Sequence, residues 1–170
     1  MARKILFLLL CALLSFSCRE QVNFSSEQDT KLTADEAAIQ DAFGQMVARD
    51  NLPMDSLTGY FQRLDSLDTA KPAFLALKEV CKASYYKRKA SNSLAISHFN
   101  HALQTLADND TIAALSYAGL GNIYKDMGDY TEALKNCQSA LTIYEEQDRR
   151  IEVAHMYKHI GALYMSWQRF

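Results

Sequence analysis

Five residues recur in this chain at one spacing. Ala114, Tyr117, Leu120, Gly121 and Tyr124 are matched one for one by Ala154, Tyr157, Ile160, Gly161 and Tyr164, at a constant offset of 40 residues. Steps of three and four place each set on one side of an α-helix. A repeated helical unit cannot bury its apolar stripe alone, so it must pack against its neighbours, and stacking sets the architecture. Two prolines and six glycines in 170 residues also favour helices over a turn-rich sheet. The fold class expected is all-α.

The helices can be delimited from Thr33 onward. Thr33-Ala34-Asp35-Glu36 has capping-box spacing, so a first helix starts there and runs to about Arg49. Asn51, Leu52 and Pro53 break the pattern, and Pro53 with Asp55 suits the first turn of a second helix. That helix carries Leu57, Tyr60, Phe61, Leu64 and Leu67 on one face. Pro72 starts a third, through about Arg88, and Ser91 or Asn92 caps a fourth bearing Leu94, Ala95, Phe99, Ala102, Leu103 and Leu106. Asp108-Asn109-Asp110 closes this hairpin. Two more helices, about Thr111 to Met127 and Asp129 to Gln147, meet at Gly128-Asp129, and a last one begins near Arg150.

Tyr117-x2-Leu120-Gly121-x2-Tyr124, followed by Ala133 and Ala140-Leu141, resembles the tetratricopeptide repeat (TPR) signature W-x2-L-G-x2-Y with its later small residues. Gly121 permits close approach of the paired helix, Tyr124 fills the space beside it, and Gly128 allows the turn before Tyr130. Ala133 and Ala140 are small where the helices cross. Cys137 stands where the family usually has a larger aromatic, and Glu145 where proline is frequent. The copy containing Tyr157, Gly161 and Tyr164 follows six residues later than the family period of about 34. Upstream, Ala83, Tyr86, Ala95, Phe99, Ala102 and Leu103 align with Gly121, Tyr124, Ala133, Cys137, Ala140 and Leu141 at an offset of 38, without the glycine.

The resemblance implies an α-α superhelix, in which antiparallel helix pairs stack as a solenoid. On this reading 32–70 is an N-terminal hairpin (a degenerate repeat or cap), 72–109 a degenerate TPR, 112–148 a TPR, and 150–170 an incomplete TPR. Phe170 aligns with Tyr130, so the last unit is expected to have its first helix only, as in a fragment or the front of a longer protein. The resemblance further implies a non-catalytic scaffold that binds a protein or peptide in a concave groove lined by the first helix of each pair. Asn122, Lys125, His155, Lys158 and His159 are the groove candidates. The fuller set of lysines, asparagines and arginine that peptide-clamping relatives spread over three repeats is not present.

Eighteen basic against twenty acidic residues leave a net charge of −2, and no long basic run is present to neutralise a phosphate backbone. Nucleic acid is therefore not an expected partner. His155 and His159 are four apart and His98 and His101 three apart, but neither pair belongs to an HExxH arrangement, and two ligands make a poor metal site. GxGxxG, GxxxxGK[ST] and GxSxG motifs are all absent, so no cofactor and no enzymatic activity are expected. Cys81 and Cys137 sit in helical apolar patterns and read as buried free thiols, the alternative being a disulfide.

The first residues form a separate object. Arg3 and Lys4 precede an apolar run from Ile5 to Leu14, followed by Ser15-Phe16-Ser17-Cys18. The run is short of the roughly 20 apolar residues of a membrane span. It reads as a signal peptide, 1–17, with Cys18 lipidated as the first mature residue, although Ser15 stands where a leucine is usual. Ser15-Phe16-Ser17 also fits ordinary signal peptidase, which would give a soluble periplasmic protein. Polar residues 18–31 then form a flexible tether. The expected location is the cell envelope, lipid-anchored at the outer membrane or periplasmic face. The alternative function is the periplasmic sensor portion of a longer signal-transduction regulator.

Overall fold

The computed structural model of the protein describes residues 32–47, 52–105 and 111–168. The signal segment 1–17, Cys18, the tether, Arg49, Leu106, the Asp108–Asp110 turn and Phe170 lie outside these residues. The described residues form seven α-helices and no strand, within one unit spanning 32–170.

Helix α1, Ala34–Met46, begins at the expected capping box. The Glu36 N–H donates to Thr33 Oγ1 at 3.1 Å, and the Thr33 N–H donates back to Glu36 Oε2 at 3.0 Å, so two amides without intrahelical partners are satisfied. Helix α2, Met54–Ser66, starts one residue later than expected, because Pro53 is the flanking residue and only its carbonyl joins the helix, accepting from the Leu57 N–H at 3.0 Å. Leu67 lies past the end of α2 in extended backbone, yet still packs on the core. Helix α3, Pro72–Arg88, is followed by α4, Asn92–Thr105. Then come α5, Thr111–Asp126, α6, Tyr130–Glu146, and α7, Arg150–Trp167.

Packing follows chain order. Helices α3 and α4 form one tight hairpin and α5 and α6 another; α5 rests on both α3 and α4, α7 on α6, and α1 and α2 cover α3. Small side chains let the paired helices approach closely. Ala83, Ala95 and Ala102 are fully buried in the first hairpin, and Ala133 and Ala140 in the second. Positions 38 residues apart thus share their burial. Ile39, Leu57 and Leu64 are fully buried where α1 and α2 meet α3, each contributing about 1.5–3 kcal/mol by leaving water.

The turns ending α3, α5 and α6 have one geometry. Ala90, Gly128 and Asp148 take positive φ of 55°, 81° and 52°. The next N–H, of Ser91, Asp129 or Arg149, then donates to the carbonyl of Tyr86, Tyr124 or Tyr144 at 2.9 Å. This closes each helix with a Schellman-type cap. Asp129 also starts α6, its side chain accepting from the Glu132 N–H at 3.1 Å. Only the middle turn has the glycine that made it recognisable.

A polar clamp ties the start of α1 to the α2–α3 connection. Glu36 is buried, and its carboxylate accepts from Lys71 Nζ at 2.9 Å and Thr69 Oγ1 at 3.4 Å. Lys71 and the Thr33 amide hold its carboxyl below the usual glutamate range. Beside it, the Asp68 N–H donates to Asp35 Oδ2 at 3.0 Å.

Candidate functional site

An open cleft of about 500 Å³ runs across the first helices of the hairpins. Lys87 reaches it from α3, Leu115, Ala118, Asn122 and Lys125 from α5, and His155 and His159 from α7. A smaller adjoining cleft, of about 170 Å³, is lined by Lys158 together with Asn122, Lys125, His159 and Cys137. All five candidate groove residues are therefore brought together, although they come from helices 37 residues apart in the chain at the His159–Asn122 contact. Lys87 was missed. It stands 38 residues before Lys125, so the register of the upstream copy would have found it.

The α5–α7 contact turns on His159. Its Nδ1 lies 3.0 Å from Asn122 Oδ1, so the ring donates there and the neutral imidazole carries its proton on Nδ1. Burial, then the neighbouring Lys125, Lys87, His155 and Lys158, push its pKa below the ordinary histidine value. Two acids share the larger cleft. Asp126 lies 3.6 Å from Lys125 Nζ, and Glu152 pairs with Arg149. Burial raises the Glu152 pKa, but the Arg149 hydrogen bond, a backbone hydrogen bond and the nearby positive charge together outweigh it and leave the group below its usual range.

Size is exchanged between successive helix contacts. A Cβ on Gly119 would overlap the Phe99 ring, so the large residue is on α4 and the small one on α5. Forty residues on from Gly119 stands His159, and 38 on from Phe99 stands Cys137. There the small residue precedes the large one, and the smaller cleft opens beside them. Gly119 belongs to no signature position, and nothing in the helical spacing marks it.

The repeat-signature residues behave differently in the two copies. Leu120, Gly121, Ala133 and Ala140 are buried, and Tyr117, Tyr124 and Tyr130 are half-buried. A Cβ on Gly121 would lie 2.6 Å from Cys137 Sγ and 3.3 Å from the Ala133 carbonyl oxygen. Helix α6 covers this face. The matching face of α7 is uncovered: Tyr157 is 57% exposed and Tyr164 48%, and a Cβ on Gly161 would meet nothing within 4 Å. The Tyr157 hydroxyl lies 3.0 Å from Glu145 Oε1 and donates to it.

The other histidine pair is held by a carboxylate that its spacing did not reveal. His98 Nδ1 and His101 Nδ1 lie 2.7 Å and 3.1 Å from Glu79 Oε2, which joins α3 to α4, and Tyr86 stacks on His98 at 5.3 Å. Among the described residues no group of three His, Cys, Asp or Glu side chains is placed to hold a metal ion. Cys81 and Cys137 are free and buried, and burial pushes both thiols up from their ordinary pKa. No helix among the described residues is long and apolar enough to cross a membrane.

Helical hairpins stacked in chain order, with a cleft across their first helices, define a helical-repeat protein. Residues 110–170, covering α5 to α7, match the family model of the tetratricopeptide repeat. Such repeats build scaffolds for protein–protein interaction. No curated protein and no solved structure matches the chain.

Proposed function

We infer that the protein is a non-catalytic scaffold that holds an extended segment of a partner protein in the cleft over α3, α5 and α7, which is the concave face of the stack. The observation that carries this reading is the convergence of Lys87, Asn122, Lys125, His155 and His159, from three separate helices, on one open cleft of about 500 Å³. Polar donors spaced along an apolar floor of Leu115, Ala118 and Met156 suit the alternating backbone and side-chain groups of a peptide. The amino-terminal pattern ending at Cys18 supports export and lipid anchoring at the bacterial cell envelope, with the stack facing a partner in that compartment.

A photoreactive residue at Ala118, inside the cleft, and another at exposed Gln138 on α6 test the reading in cells. A defined partner cross-linked from position 118 and not from 138 is expected. Equal capture from both positions, or from neither, would sink it.

A further inference from the structure

The smaller cleft lies where the preceding helix contact has an aromatic ring. Between α4 and α5 the Phe99 ring is buried against Gly119. The residue 38 positions on from Phe99 is Cys137, which has no ring, and a space of about 170 Å³ opens beside it. His159, 40 residues on from Gly119, does not close that space. Its Nδ1 is bonded to Asn122 Oδ1 at 3.0 Å, and the ring stands in the wall.

The base of the cleft is apolar. Gly121, Cys137 and Leu163 are buried and Ala162 is half-buried, while Lys125 and Lys158 stand nearer to solvent. An apolar cavity of about 150 Å³ takes up benzene, so the space is of the size of one aromatic ring. It adjoins the larger cleft and shares Asn122, Lys125 and His159 with it.

We propose that the smaller cleft seats a phenylalanine side chain of the segment held in the larger one, so that the ligand supplies the ring that Phe99 supplies within the chain. The proposal rests on the peptide-binding reading above and adds to it the residue that anchors the segment. Withdrawing a phenylalanine side chain from water strengthens binding by about tenfold to a hundredfold. An aromatic ring is favoured over an aliphatic group because its negative π-face attracts the ammonium groups of Lys125 and Lys158. Tyrosine is disfavoured: its hydroxyl would reach a base whose one polar side-chain atom is the Cys137 sulfur, a weak partner.

An NMR titration of the full chain with N-acetylphenylalaninamide, and with its leucine and alanine counterparts, tests the pocket. The phenylalanine amide should give saturable amide shifts at Gly121, Ala162 and Leu163, with NOEs from its ring to the Leu163 methyl groups. The leucine amide should bind several-fold more weakly, and the alanine amide weaker than the phenylalanine amide by about tenfold or more. Ala162→Phe puts a ring of the chain's own into the space and should abolish the shifts, with circular dichroism confirming that it is folded. The NOEs in the parent protein locate the ring whether or not this variant folds. Absence of saturable shifts at these residues, equal binding of the three amides, or shifts that persist in folded Ala162→Phe would overturn the proposal.

A photoreactive residue in place of Lys158 then tests the link to the segment in cells. It should cross-link to the partner captured from position 118, with the adduct beside a phenylalanine. An adduct remote from any phenylalanine makes the anchor wrong while the peptide-binding reading stands. Failure to capture a partner from position 118 removes both.

Discussion

Gly121 and Gly161 occupy the same position in two copies of one pattern, so the same substitution at each isolates what the covering helix contributes. An alanine at either site gains about 0.5–1 kcal/mol of helix propensity. At Gly161 the new methyl meets nothing within 4 Å, and the gain should appear undiminished. At Gly121 it would lie 2.6 Å from Cys137 Sγ and 3.3–3.4 Å from backbone atoms of α6. Helix α6 must shift as a unit, since backbone cannot turn aside as a flexible side chain can, and overpacking of this kind costs about 1–3 kcal/mol. The propensity terms cancel in the comparison. Gly161→Ala should therefore exceed Gly121→Ala in stability by about 1–3 kcal/mol, the first lying above the parent protein and the second below it. Urea unfolding followed by circular dichroism measures both. Adding Cys137→Ala to Gly121→Ala should recover part of the loss, because it removes the sulfur that the methyl strikes. Equal effects of the two glycine substitutions, or a stabilising Gly121→Ala, would refute the reasoning.

Ala90 holds a left-handed conformation that Gly128 adopts without strain, so Ala90→Gly should stabilise the chain by about 1 kcal/mol and Gly128→Ala should destabilise it by a similar amount in thermal melts. The lowered pKa of Glu36 means that its contribution is complete above about pH 4.3, the unfolded value, and is lost as pH falls through the folded one. Glu36→Gln should flatten that part of the acid-unfolding curve, and an unchanged curve would count against the clamp. Cys81 and Cys137 are buried with raised pKa values, so an alkylating reagent at pH 8 should modify them only after denaturant is added, as followed by peptide mass spectrometry.

Much of this architecture was legible because helices signal themselves locally. The capping box at Thr33, the proline at the start of α3 and the glycine turn after α5 each fix a backbone event with a few adjacent residues. The repeat offset did more, since it placed Asn122, Lys125 and the α7 histidines on helices that stack in order. What stayed hidden were contacts between helices that depend on size or on distant partners. Gly119 matters only because the Phe99 ring reaches it, and Glu79 joins His98 and His101 from the neighbouring helix. The caps at Ala90 and Asp148 escaped notice because neither residue is the glycine that usually announces such a turn. Lys87 was obscured by a copy whose signature glycine is replaced by Ala83, although its register was already set.

The central claim is that a partner segment lies across the first helices, and an amide NMR titration of the full chain with the partner segment cross-linked from position 118 tests it most directly. The account predicts shifts concentrated at Lys87, Ala118, Asn122, Lys125, His155 and His159. Shifts gathered instead on the outer residues of α6, such as Gln138 and Thr142, or on the Tyr157–Tyr164 face of α7, would contradict it.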